Sequence, residues 1–131
     1  MKHILMIVLV ALMLGGCGAG KSSVQTANGT VTTVGVEEFA KMISKKNVRL
    51  IDVRTPKEYA EGHIKGAQNI DVKAADFSEK IKNIKGNVAV YCARGVRSLN
   101  AAKTLAAQGC TVYNLDGGLT AWKQAGKPVI K

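Results

Sequence analysis

"NVAVYCARGVRSLNAAKTLAAQG", Asn87 to Gly109, decides the fold. "NVAVYC" is an apolar run with no polar alternation, the pattern of a strand buried on both faces of a parallel sheet. "SLNAAKTLAAQG" reads as a helix that begins near Ser98 and is ended by Gly109. Between them "ARGVR" must turn the chain from strand to helix within a few residues. In sheets built from such units, ligands bind beyond the carboxyl ends of the strands, and Cys92 is placed there.

Working outward, the same alternation continues. "TVTTV" before it is a short strand, and "VEEFAKMISKK" carries Val36, Phe39, Ala40 and Ile43 at helical spacing. "NVRLIDV" is a second buried strand. Thr55, Pro56 and Glu58 then open a short helix as N-cap, first helical residue and closing member of a capping box, and that helix stops near Gly62. "DFSEKIKNIK" is amphipathic, with Phe77, Ile81 and Ile84 on one side. After Gly109 come the strand "CTVYNL" and a last helix in "LTAWKQAG". Strand and helix in alternation imply an α/β fold, with a mainly parallel central sheet flanked by helices in three layers.

The loop after Cys92 has the makings of a reactive site. Gly95 allows close backbone approach, so that several N–H groups and a helix N-terminus converge on one point. That arrangement stabilises a thiolate, lowers the cysteine pKa and makes a nucleophile at neutral pH. Arg94 and Arg97 add positive charge in the same small volume.

The amino terminus has two readings. Gly15, Gly20, Lys21 and Ser22 match the spacing of a phosphate-binding loop, which needs a strand before it and a helix after it. "SSVQTANGTVTT" follows instead, with no helical period and a turn signal at Asn28-Gly29. Met1-Lys2-His3, the apolar run Ile4 to Leu14 and a small-residue exit describe a secretory signal peptide, too short to span a bilayer. "LGGC", Leu14 to Cys17, resembles the lipobox of bacterial lipoproteins, which implies that residues 1–16 are removed and that Cys17 is lipidated. Residues 17–30 are then expected to be a flexible tether, small and polar, and residues 31–131 a single domain. Gly18 is not the aspartate that often retains lipoproteins at an inner membrane. The expected location is therefore the cell envelope: periplasm-facing, outer membrane included, or the outer surface of a single-membraned cell.

Composition narrows the partners. A formal net charge of +10 favours small anionic substrates or an anionic lipid surface. Nucleic acid is not expected, because aromatic residues are few and the lysines are scattered. Of three cysteines, Cys17 is accounted for by lipid. Cys110 lies in an apolar run and is read as a small buried hydrophobe rather than a resolving or disulfide cysteine. With only His3 and His63 present, and His3 in the leader, no cluster has the spacing of metal ligands. No cofactor is implied.

"CARGVRS", Cys92 to Ser98, resembles the active-site loop of single-domain rhodaneses, with the spacing C-x-x-G-x-R-S. "LIDVRTPKEYAEGHIKGAQNI", Leu50 to Ile70, and "LDGGLTAWKQAG", Leu115 to Gly126, resemble that family's upstream and C-terminal signatures, so the likeness covers the chain from about Val34 onward. The resemblance implies a rhodanese-like fold and a sulfurtransferase. Cys92 would take sulfane sulfur from thiosulfate or polysulfide as a persulfide, and a thiol or cyanide would remove it. Backbone N–H groups of Ala93, Arg94, Gly95, Val96, Arg97 and Ser98 would hold the persulfide, and Arg94 and Arg97 would receive the anionic donor. His63 is read as structural more than as a general base. Asp52 and Arg54 are expected to hold loops together by hydrogen bonds, and Trp122, Gly117 and Gly118 to serve packing and a tight turn.

Two rival classes are weighed against this. Phosphatases and arsenate reductases related to rhodanese use a loop one residue longer than the four residues that separate Cys92 from Arg97 here. Inactive rhodanese-like binding modules typically lack the cysteine, which this chain has.

Overall fold

In the computed structural model, described for residues 22–26 and 28–131, the alternation read from the sequence becomes a layered α/β domain. The elements in chain order are β1 (Ser22–Gln25), β2 (Thr30–Val34), α1 (Val36–Ile43), β3 (Val48–Asp52), α2 (Pro56–Glu61) and β4 (Gln68–Asn69). They continue as α3 (Phe77–Ile81), β5 (Asn87–Tyr91), α4 (Val96–Ala107), β6 (Thr111–Leu115) and α5 (Gly118–Gln124). One six-stranded sheet runs in the order β1-β2-β6-β5-β3-β4. Every pair is parallel except β1 with β2.

The period-2 alternation of each strand divides two cores. Val88 and Val90 of β5, with Cys92 just beyond its end, face the layer that holds Ala101, Ala102 and Leu105 of α4 with Phe77 and Ile81 of α3. Ala89 and Tyr91 face the opposite layer, with Phe39 of α1 and Leu119 and Trp122 of α5. Phe39 meets Tyr91 and Trp122 edge-on, at ring-centroid distances of 6.4 and 6.3 Å. Cys92 thus emerges from the central strand beneath the start of α4, with core packing on both faces of the strand that carries it.

The capping box at α2 forms as the sequence implied: Thr55 Oγ1 accepts from the Glu58 amide, and the Glu58 carboxylate accepts from the Thr55 amide. Three differences have local causes. The helix expected over "DFSEKIKNIK" ends at Ile81, where the Gln108 side-chain amide donates to the carbonyls of Ile81 and Ile84 and turns the chain into β5. β4 is two residues long and shows no strand pattern; it pairs because Asp52 and Val53 offer carbonyls to Ile70 and Val72.

The third concerns the tether expected over residues 17–30. From Ser22 on, that stretch is paired: Ser22 to Gln25 lie antiparallel to Thr33 to Thr30. Thr26 closes the turn by accepting from the Gly29 amide, and the Asn28 side chain donates to the Ala107 carbonyl. Small polar residues are weak strand formers, but β2 offers an edge whose backbone groups need partners. The leader, Cys17 and the loop from Gly15 to Lys21 lie outside the described residues.

Candidate active site

β5 delivers Cys92 to the carboxyl end of the sheet, and the backbone then folds back over its sulfur. The Gly95 amide lies 3.0 Å from Cys92 Sγ, and the amides of Arg94 and Ser98 are also turned on it. Gly95 caps α4 at φ +98°, a conformation that favours glycine; a Cβ there would press on the Leu115 carbonyl at 3.3 Å. From below, α5 fastens the loop: the Leu119 and Thr120 amides donate to the carbonyls of Cys92 and Ala93. Gly118 makes this possible, since a Cβ at its φ of +58° would lie 2.5 Å from the Cys92 carbonyl oxygen. The pair Gly117-Gly118, expected only to make a tight turn, is therefore also the clamp beneath the reactive loop.

The Cys92 thiol titrates below its ordinary range. Burial alone pushes it up, but the Ser98 hydroxyl and the amides of Ser98, Arg94 and Gly95 outweigh burial. The Ala93 carbonyl is held by α5, and Val96 is 71% exposed. Arg94 is exposed and pairs with none of the described residues.

Arg97 is committed. Its guanidinium makes two hydrogen bonds to the Glu58 carboxylate, at 2.8 and 3.0 Å, which bind the start of α4 to the start of α2. Glu58 thus serves both its own helix cap and Arg97, and only the first duty is written locally. Hydrogen bonding to Arg97 is the main cause that holds Glu58 down to about 2, with the Thr55 groups adding to it against burial. A carboxylate held below its unfolded value adds stability above about pH 4.5 and loses it as pH falls toward 2. Glu58→Gln keeps a capping side chain but loses this charge. Its unfolding free energy in urea is expected to lie below wild type by about 1 kcal/mol at pH 6, allowing for partial exposure, with the gap closing by pH 2.

Asn114 is a site residue that the sequence reading missed. It lies on β6 two residues after Val112, and so on the face toward α4, and is only 2% exposed. Its Oδ1 is 2.6 Å from Ser98 Oγ, which in turn is 3.4 Å from Cys92 Sγ. Asn114 Nδ2 faces the Gly95 carbonyl at 3.5 Å and Thr33 Oγ1 at 3.4 Å. A carbonyl only accepts, so this sets the amide with Oδ1 toward Ser98, and the hydroxyl's single proton is shared between Asn114 Oδ1 and Cys92 Sγ. Asn114→Leu frees that proton for the thiolate. The midpoint of Cys92 alkylation against pH is expected to move down by about half a pH unit to one. The available signal was an asparagine at a core-facing position of a strand, since a buried amide needs partners.

Other expected residues fall into place. Asp52 and Arg54 form a buried ion pair at 2.7 Å, Arg54 Nη2 also donates to the Gly62 carbonyl, and the Asn69 amide bridges the carbonyls of Asp52 and Arg54. They hold loops together. His63 Nδ1 donates to the Tyr59 carbonyl at 2.9 Å, and its ring stacks on Tyr59, so its role is structural. Trp122 Nε1 donates to the Pro128 carbonyl. Cys110 is fully buried and burial pushes its thiol up, which suits packing.

A mainly parallel sheet thus presents a low-pKa cysteine in a loop of amides, clamped from beneath by a second helix. The family model described as Rhodanese-like domain matches residues 35–125, and the chain belongs to that family. It is 34% identical over 91 residues to the thiosulfate sulfurtransferase GlpE of Shewanella oneidensis, covering 69% of this chain and 90% of that one. It is 42% identical over 91 residues to the uncharacterized protein YqhL of Bacillus subtilis, with coverage of 69% and 71%. Among solved structures, a rhodanese-related protein from Thermoplasma volcanium superposes with a TM-score of 0.64 at 30% identity, covering 75% of this chain and 96% of the other.

Proposed function

We propose that this protein moves sulfane sulfur through a Cys92 persulfide. The observation that carries the reading is the placement of Cys92 Sγ among the Arg94, Gly95 and Ser98 amides, which suits a small anion at that atom. The Cys92 thiolate attacks the outer sulfur of thiosulfate; the S–S bond of the donor breaks and sulfite leaves with the bonding pair. The new sulfur carries the negative charge and sits over the amides. Cyanide or a thiolate then attacks that sulfur, the persulfide bond breaks, and thiocyanate or an alkyl persulfide leaves with the Cys92 thiolate restored. A polysulfide serves as donor by the same exchange.

Arg94, exposed and paired with none of the described residues, supplies a cation for an anionic donor. Arg97 supplies its charge from within the Glu58 pair and chiefly sets the loop. The chain is further proposed to be exported and held to the cell envelope by lipid on Cys17, on the signal-peptide and lipobox patterns of residues 1–17.

The test is intact mass of the domain before and after thiosulfate or polysulfide. A gain of one sulfur atom, removed by cyanide with release of thiocyanate, is the expected result. Absence of any gain with both donors, together with turnover of arsenate or a phosphate ester, would assign the loop to the related oxyanion chemistry. Absence of all of these would leave a binding module.

A further inference from the structure

The strand that brings the chain into the domain runs opposite to the others, and this decides which end of the sheet the tether leaves. Ser22 pairs with Thr33, Thr33 with Asn114, and Asn114 with Val90. The first described residue is therefore level with Val90, two residues before Cys92 and at the carboxyl end of the parallel strands. Three strand spacings separate β1 from β5, about 14 Å. Cys17 is five residues before Ser22, a span of at most about 18 Å. The opposite end of the sheet, marked by Lys85 and Gly109, lies about 16 Å further along the strands.

A second observation concerns the surface at that end. Val96 is 71% exposed, against 41% for Val24 and 43% for Ile130, the other exposed large hydrophobic residues described. It stands two residues from the exposed Arg94. An apolar side chain beside a long cationic one suits a bilayer surface, where the first enters the headgroup layer and the second meets anionic lipid.

Resting on the anchoring of Cys17 proposed above, we infer that the Cys92 end of the domain lies against the membrane that holds the tether, with Arg94 and Val96 at the contact. Cys92 then meets reactants presented at the bilayer surface, and the end carrying Lys85 faces away. A donor or acceptor held in the membrane reaches the site at high effective concentration, while a bulky soluble protein is kept out.

The lipidated full chain, reconstituted in vesicles of phosphatidylglycerol and phosphatidylethanolamine with a headgroup-attached energy acceptor, tests this. A fluorophore is placed at Asp116→Cys or at Lys85→Cys, both exposed positions, each in a Cys92→Ser background where Cys17 is blocked by lipid and buried Cys110 is the other thiol. Energy transfer from position 116 is expected to exceed that from position 85 severalfold. Arg94→Glu with Val96→Asp is expected to reduce the excess, as is a spacer of about twenty residues inserted after Gly20. Equal transfer from both positions, or more from position 85, in protein that floats with the vesicles overturns the orientation and leaves the anchoring intact. Protein that neither floats nor carries the diacylglyceryl mass overturns the anchoring, and the orientation with it.

Discussion

The Cys92→Ser variant is expected to gain no sulfur from thiosulfate and to release no thiocyanate with cyanide, a loss of at least about a thousandfold in transfer rate. The substitution is nearly isosteric, and a hydroxyl keeps the contacts with the Gly95 amide and the Ser98 hydroxyl. What changes is acidity. The site draws the thiol below its ordinary range by hydrogen bonds that overcome burial; a serine hydroxyl starts so much higher that the same bonds leave it protonated at neutral pH. An oxygen also forms no stable counterpart of the persulfide, so no covalent intermediate accumulates. Sulfite release from thiosulfate measures the first step, and the urea midpoint should stay near wild type, because the core around β5 is unchanged. In the wild-type protein, loading should fall as pH drops through the lowered Cys92 pKa, since only the thiolate attacks. Transfer by the serine variant at the wild-type rate would remove Cys92 from the mechanism.

The largest effect on stability is expected from Arg54→Met. Asp52 is fully buried and Arg54 is 5% exposed, and their ion pair sits over the Tyr91 ring, with the Arg54 carbon centre 5.8 Å from its centroid. Methionine fills much of the volume but strands the Asp52 carboxylate in the core, a cost of about 3–5 kcal/mol. That is a large part of the roughly 5–15 kcal/mol that holds a domain together, and it should lower the melting temperature by about 15–30 °C. The Gly62 carbonyl also loses its donor, which loosens the end of α2 and with it the platform that presents Glu58 to Arg97. Pairing Arg54→Met with Asp52→Asn should recover part of the loss, because the second change removes the stranded charge. Urea unfolding of both variants measures this. A single-variant cost below about 1 kcal/mol would mean that the pair does not fasten these loops.

Much of this architecture could be read along the chain because its causes are local. A run such as Val88 to Tyr91 has no polar face, so it must be buried on both sides. Thr55 and Glu58 satisfy one another within a single turn that Pro56 opens. Cys92 can be placed at the end of its strand because the following glycine and helix leave it nowhere else to go. β1 and β4 were illegible for the converse reason: neither has a pattern of its own, and each exists because a neighbouring strand supplies unpaired backbone groups.

By itself, then, the sequence determined the alternating elements, the cysteine loop with its low-pKa chemistry, and the family signatures along the domain. Only the tertiary structure decided what surrounds that loop: Glu58 on Arg97 across 39 residues, Asn114 on Ser98 across 16, and α5 beneath Cys92. Local patterns follow from the dihedral preferences and side-chain spacing of adjacent residues. Which strand lies beside which, and in what register, is set by the packing of the whole sheet, and the site's partners are fixed by that packing.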